Sequence, residues 1–193
     1  MAINKMSKVT LRLKKYGYWV ALALSIGVLS LVLALAATYA GTSNPDDPYV
    51  SVDPIEFAVP VSNSTVLKDY SNSALQYSNT LKQWEAHKAI DFAAAEGTDV
   101  YAVLDGTITE VSYTYLMGNI VKLDVGNGLI VVYKSLASDV PVEVGDVVKE
   151  GDVIGKVGNT AKSEASDGPH LHLETWLNNV NVDPNTYLDL GDK

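Results

Sequence analysis

The hydrophobic pattern divides the chain into two unlike parts. From about Tyr18 to Ala40 it is apolar and carries no charge. A bilayer core of ~30 Å needs ~20 helical residues, so residues 17–40 are predicted to form one transmembrane helix. Residues 41–60 lose all amphipathic period. Gly41, Thr42, Ser43, Asn44, Pro45, Asp46, Asp47 and Pro48, then Pro54 and Pro60, read as an extended linker. The Ser-, Asn- and Tyr-rich stretch from about Thr65 to Trp84 reads as an irregular lead-in with a strand, so 41–79 are assigned to linker and lead-in.

Further along, the pattern becomes β. Val100–Leu104 ends at the tight-turn pair Asp105-Gly106, and Thr107–Tyr113 alternates. Gly118-Asn119 marks a turn or bulge before Ile120–Val125. Asn127-Gly128 favours a two-residue hairpin turn leading into Leu129–Tyr133. Gly145-Asp146 and Gly151-Asp152 bracket Val147-Val148-Lys149, and Val153–Val157 and His170–Trp176 are further strands. Short β-branched strands with turn signals every ~8–12 residues predict an all-β domain over 80–190, a compact antiparallel β core of sandwich or barrel type. No long helical period follows residue 60. Tyr101, Tyr113, Tyr115, Tyr133, Trp84 and Trp176 are expected mostly in the core or as groove wall.

Charge gives the apolar run a direction. Lys5, Lys8, Arg12, Lys14 and Lys15 precede it and no acidic residue does. A basic flank stays cytoplasmic, so 1–16 form a cytoplasmic segment and the C-terminal domain is extracytoplasmic, in a single-pass cell-membrane protein. A cleaved signal peptide ending at Thr38-Tyr39-Ala40 is the rival, but its apolar region spans only ~7–15 residues. The remaining nine Lys and Arg face all twenty-three Asp and Glu, a balance of −14. Such a domain repels nucleic acid and anionic lipid, and a nucleic-acid function is excluded on that ground. Cysteine is absent, which removes disulfides, thiolate metal sites and a cysteine nucleophile.

The candidate chemistry lies in two short motifs that hold all three histidines. His87 and Asp91 form an H-x-x-x-D pair, and His170 and His172 an H-x-H pair. A lone histidine is usually a surface or core residue. The restriction of all three to these motifs argues for one metal site, since imidazole and carboxylate are the usual ligands of a catalytic zinc with one open position. On a strand, residues i and i+2 share a face. His170, His172 and Glu174 should then project together, as should His87, Ala89 and Asp91. An i, i+4 pair would also share a face on a helix. Four candidate ligands exceed the three a catalytic zinc needs, which leaves one histidine to move a proton or stabilise an oxyanion. Glu174 could orient a histidine from behind, or be an exposed strand carboxylate.

The ordered series His87-x-x-x-Asp91, Gly97-Thr98-x-Val100-x-Ala102, Asp105-Gly106-Thr107, Gly118-Asn119, Gly145-Asp146-x-Val148-x-x-Gly151-x-x-Ile154-Gly155 and His170-Leu171-His172-x-Glu174 resembles the LytM/lysostaphin-like zinc endopeptidase domain over residues ~80–188. The resemblance implies a groove-bearing antiparallel β core that cuts peptidoglycan peptides. It places Zn2+ ligands at His87, Asp91 and His172, a catalytic histidine at His170 and a groove residue at Asn119. Two departures stand out. Ala89 replaces a usual glycine, and Ser135 replaces the second catalytic histidine in Tyr133-Lys134-Ser135-Leu136. Serine supplies no imidazolium, and one lost transition-state donor costs about 10² or more in rate. The resemblance therefore implies an intact metal site with weak or absent turnover.

A basic segment, one span, a linker and a single such domain with Ser135 further resemble the stage II sporulation protein Q group of endospore-forming bacteria. That group sits in the forespore membrane facing the intermembrane space, binds stage III sporulation protein AH, and serves engulfment and a forespore–mother cell channel. The resemblance implies an AH-like membrane partner, with peptidoglycan endopeptidase activity as the alternative. The run Gly145–Gly155 also resembles biotinyl or lipoyl carrier domains, but Met117 has no adjacent lysine to modify.

Overall fold

The computed structural model describes residues 16, 17, 19, 22–34 and 55–190. The chain forms two units, Met1–Val52 and Asp53–Lys193. In the first, 22–34 are helical, and the Ser25 and Ser30 hydroxyls donate to the carbonyls of Leu22 (2.8 Å) and Gly27 (2.9 Å). Among the described residues no helix is long and apolar enough to cross a membrane. The expected span at 17–40 extends on both sides into residues outside those described. Nearly all of the basic segment at 1–16 and the linker up to residue 54 lie outside them too.

The second unit is built of antiparallel strands. They are β1 (Thr65–Lys68), β2 (Ser71–Ser78), β3 (Gln83–His87), β4 (Ile90–Ala93), β5 (Asp99–Tyr101), β6 (Gly106–Thr114), β7 (Gly118–Gly126), β8 (Leu129–Leu136), β9 (Val147–Val148), β10 (Val153–Lys156), β11 (His170–Leu177) and β12 (Val180–Val182). The main sheet runs β1-β4-β11-β8-β7-β6-β9, with β12 also on β11, while β10-β5 and β2-β3 form two small sheets. The β7–β8 hairpin closes at Asn127-Gly128, where both residues have positive φ (53° and 76°). That is the backbone a two-residue turn of primed type requires.

Period-two alternation decides which side chains meet. In the β4–β11 ladder Leu171 lies opposite Phe92 and Leu173 opposite Ile90, and all four are buried in the core. The core also takes Val131 and Tyr133 of β8, Val121 and Leu123 of β7, and Val100 and Ile154 of the small β5–β10 sheet. The same ladder puts His172 opposite Asp91. Because neighbouring residues point to opposite faces, burying the Leu and Phe side chains fixes those two on the other face.

Three expectations need correction. The lead-in is more regular than its composition suggests: β1 pairs with β4 and β2 with β3. Cross-strand partners, not local propensity, order this Ser-rich stretch. His87 ends β3 and Asp91 lies in β4, with a break at 88–89, so the H-x-x-x-D pair does not share one strand. Trp84, Tyr113 and Tyr115 are largely exposed, at 65%, 58% and 68%. Trp84 sits on the β2–β3 hairpin against Tyr77, edge-on at 5.5 Å.

Tyr133 is fully buried, and its hydroxyl oxygen accepts the Val103 amide at 3.0 Å. Burial drives its ionisation upward, so the phenol stays neutral. Tyr133→Phe leaves the buried Val103 N–H unpaired, a loss of about 1–3 kcal/mol. A lowered urea midpoint with an unchanged m-value is the expected result.

Candidate metal centre

His87, Asp91, Glu164 and His172 each offer a ligand atom, and these atoms lie within 4.8 Å of one another. His87 Nε2 is 3.1 Å from Asp91 Oδ2 and 3.8 Å from Glu164 Oε1. His172 Nδ1 is 2.9 Å from Asp91 Oδ1 and 3.3 Å from Glu164 Oε2. A tetrahedral zinc with arms of about 2.0–2.1 Å separates its ligand atoms by about 3.3–3.4 Å, a value inside this spread.

The surrounding hydrogen bonds choose which nitrogens face inward. His87 Nδ1 lies 3.0 Å from the Asp69 carbonyl. A carbonyl only accepts, so Nδ1 carries the hydrogen and Nε2 keeps its lone pair for the cluster. Asp69 is itself held: its carbonyl accepts from Gln76 Nε2 at 2.9 Å, and its carboxylate from Asn185 Nδ2 at 2.8 Å. For His172, Nε2 faces Glu174 Oε1 at 3.3 Å. Glu174 also accepts from the Lys134 ammonium and, at 2.8 Å, from the Trp176 indole. Nδ1 of His172 is thereby left for the cluster.

The donor set fits a divalent cation. His87 Nε2, His172 Nδ1 and both Asp91 oxygens are buried without a hydrogen-bond partner. They are close to each other but not aligned as hydrogen bonds. Orphaned buried polar atoms are costly, and a cation between them would satisfy all four. Without one, protonation must serve. Burial alone would raise the Asp91 carboxyl, yet the approach of His172 and His87 holds it below its ordinary value. Burial opposes charge on His172, but Asp91, Glu164 and Glu174 drive it well above the ordinary imidazole range. Glu174, against the same pull of burial, is lowered to about 2 by His172 and Lys134.

The expected residues are distributed as follows. His87, Asp91 and His172 converge, with Glu174 behind His172. His170 is fully buried beside them; its Nδ1–H donates to the Gly168 carbonyl at 2.8 Å, and its Nε2 lies 3.4 Å from Glu164 Oε2. Burial disfavours its charge, but Glu164, Asp91 and the Gly168 carbonyl together outweigh that and raise it. Asn119 donates from Nδ2 to the Leu136 carbonyl at 3.1 Å and from its amide to Thr160 Oγ1 at 3.2 Å, which ties strand to loop. Ser135 is fully buried at φ 61°, and its Oγ has no hydrogen-bond partner. A groove of about 430 Å³ opens on the sheet face beyond Glu174 and Lys134, floored by Val132 and Ile130 and walled by Trp176. Neither Asn119 nor Ser135 lines it.

Sequence reasoning missed Glu164 and Asp69. Glu164 closes a 3₁₀ turn, Lys162–Glu164, in the loop between β10 and β11. Its place six residues before His170, in a stretch that also holds Asp167, offered no periodic signal to single it out.

Metal entry must expel the proton that His172 holds at neutral pH. Zinc affinity should therefore climb with pH above the ordinary imidazole value of ~6.5. Calorimetric titration of metal-free protein in two buffers of different ionisation enthalpy should show net proton release at pH 7. In the metal-free protein the sign is reversed. The raised His172 value stabilises the fold below ~6.5, and that share fades as pH rises through the folded-state value.

Three comparisons place these residues among known proteins. Residues 85–184 match the profile of "Peptidase family M23". Stage II sporulation protein Q of Bacillus subtilis (strain 168) is 38% identical over 125 residues, 63% of this chain and 42% of that protein. Peptidoglycan DD-endopeptidase ShyC of Vibrio cholerae is 36% identical over 104 residues, 54% of this chain and 23% of that one. Both matched stretches thus span less than half the length of these curated relatives. The fold resembles a chain in the structure of the SpoIIQ-SpoIIIAH pore forming complex, at TM-score 0.62 and 30% identity, covering 70% of this chain and 92% of that one.

Proposed function

The chain belongs to peptidase family M23, and from that premise we propose that it is a membrane-anchored, zinc-binding sporulation protein that works by holding a partner. The partner would be an SpoIIIAH-like membrane protein, and the setting engulfment or a forespore–mother cell channel. One observation carries this reading: the likeness to the SpoIIQ-SpoIIIAH structure extends over 70% of this chain and 92% of that one. The replacement of the family's second catalytic histidine by Ser135 agrees with it. Anchoring is supported by the uncharged run from Tyr18 to Ala40 behind five basic residues, with the β unit on the extracytoplasmic side.

His87 Nε2, Asp91 and His172 Nδ1 would hold the zinc. When bound, zinc supplies Lewis acidity and a water of lowered pKa. The chain's own residues do the rest. Glu174 and the Asp69 carbonyl orient the two imidazoles, which are almost fully buried. His170, anchored through Nδ1, presents Nε2 as the remaining proton-carrying group. These features favour a second reading, an endopeptidase cutting peptidoglycan peptide cross-links. Ser135 cannot share the oxyanion charge as an imidazolium would.

The two readings separate at His170. Full-length protein and His170→Ala are to be compared for capture of an SpoIIIAH-like ectodomain and for release of soluble muropeptides from cell wall. Capture by both proteins at similar affinity, with release absent or at least 10²-fold below an active family endopeptidase, is the expected result. Chelator-sensitive release by the unaltered protein, abolished in His170→Ala, would reverse the assignment. The chain should also stay in the membrane fraction after alkaline washing, and its solubilisation there would count against the anchor.

A further inference from the structure

We propose that Glu164 is the fourth protein ligand of the metal centre, and that the loop carrying it is a strap that closes the centre to exogenous ligands and substrate. The inference rests on the zinc-site reading given above. A catalytic zinc takes three protein ligands and leaves one position open, whereas a closed site takes four. Here four groups are gathered, not three. Glu164 spans the cluster, with Oε1 3.8 Å from His87 Nε2 and Oε2 3.3 Å from His172 Nδ1. Oε2 also lies 3.4 Å from His170 Nε2, so one carboxylate engages both the ligand set and the group that would handle protons.

The strap is fastened at both ends. On one side, the Ser163 amide and hydroxyl donate to the Leu116 carbonyl at 3.1 and 2.7 Å, and the Lys162 amide to the Tyr115 carbonyl at 3.3 Å. On the other, the Ser166 amide donates to Thr80 Oγ1 at 2.9 Å, and Asp167 pairs with Lys68 of β1. The loop thus crosses from the β6–β7 turn to β1 and the β2–β3 turn, with Glu164 between the fastenings. The result is visible in burial. Asp91 and His170 have no exposed surface, and His87 and His172 keep only 8% and 7%. The cavity touching His87 and Glu164 holds about 20 Å³, room for about one water and not for a peptide.

The test uses full-length protein, Glu164→Ala and Asp167→Asn, each loaded with cobalt(II) as a visible probe of coordination, with sodium azide as the exogenous ligand. Zinc affinity is measured in parallel by chelator competition. The unaltered protein should bind one metal ion and show a cobalt spectrum that azide does not change. Glu164→Ala should bind zinc about tenfold or more weakly and gain an azide-dependent spectral shift. Asp167→Asn retains Glu164 but loses the outer fastening, so it should gain a smaller azide response, and it carries the test if Glu164→Ala does not fold. An azide response in the unaltered protein, or equal zinc affinity in Glu164→Ala, overturns the closure while leaving the zinc site standing. An unaltered protein that binds neither metal overturns the zinc reading and the closure together.

Discussion

The pairing of β4 with β11 is the constraint from which the rest of the site follows. Four apolar side chains on one face of that ladder, Ile90, Phe92, Leu171 and Leu173, are buried in the core. A slip of one residue in either strand would take its two apolar side chains off the core face and turn Asp91 or His172 into the apolar core instead. Hydrophobic burial therefore sets the register, at about 1.5–3 kcal/mol for each large side chain. The register in turn sets Asp91 beside His172. The metal ligands meet because the leucines must be buried, and no attraction between the ligands is needed to bring them together.

That arrangement leaves a charge problem that the surroundings answer in layers. Asp91, Glu164 and Glu174 concentrate negative charge around two imidazoles that are almost fully buried. Glu174 is balanced from behind by Lys134 and Trp176, while Lys68 pairs with Asp167 at the edge. Among the described residues, His172 and His87 lie against the two oxygens of Asp91 and Lys68 acts on it from the neighbouring strand; a bound cation would pair both oxygens directly. The His87 and His172 rings are oriented by acceptors outside the cluster, so Nε2 of His87 and Nδ1 of His172 face inward before any ion arrives, and an entering ion has only to displace the His172 proton. This is preorganisation for a divalent cation, and it is independent of whether hydrolysis follows.

Much of this was legible along the chain, and particular residues show why. His170, His172 and Glu174 alternate with Leu171 and Leu173, a period-two signal that needs no partner to be read. Asn127-Gly128 announced its hairpin for a local reason too, since both positions accept positive φ. Glu164 and Asp69 carry no such signal, because their importance comes from loops brought close by strands far away in sequence. The same holds for β1, which is only four residues long, and for β2, whose Ser and Asn content hides it; both are ordered by their partners β4 and β3. Ser135 was singled out by comparison with a family pattern, but its positive φ and buried hydroxyl come from the contact of β8 with Gly158 and Met117, which no window of sequence contains.

The central claim, that His87, Asp91 and His172 hold one zinc ion, is tested most directly by zinc-edge X-ray absorption on the purified full-length protein loaded with one equivalent of zinc. The account predicts a low-coordinate nitrogen and oxygen shell at about 2.0–2.1 Å whose outer scattering fits two imidazoles. A shell with one imidazole or none, or protein that retains no zinc after desalting, would contradict it.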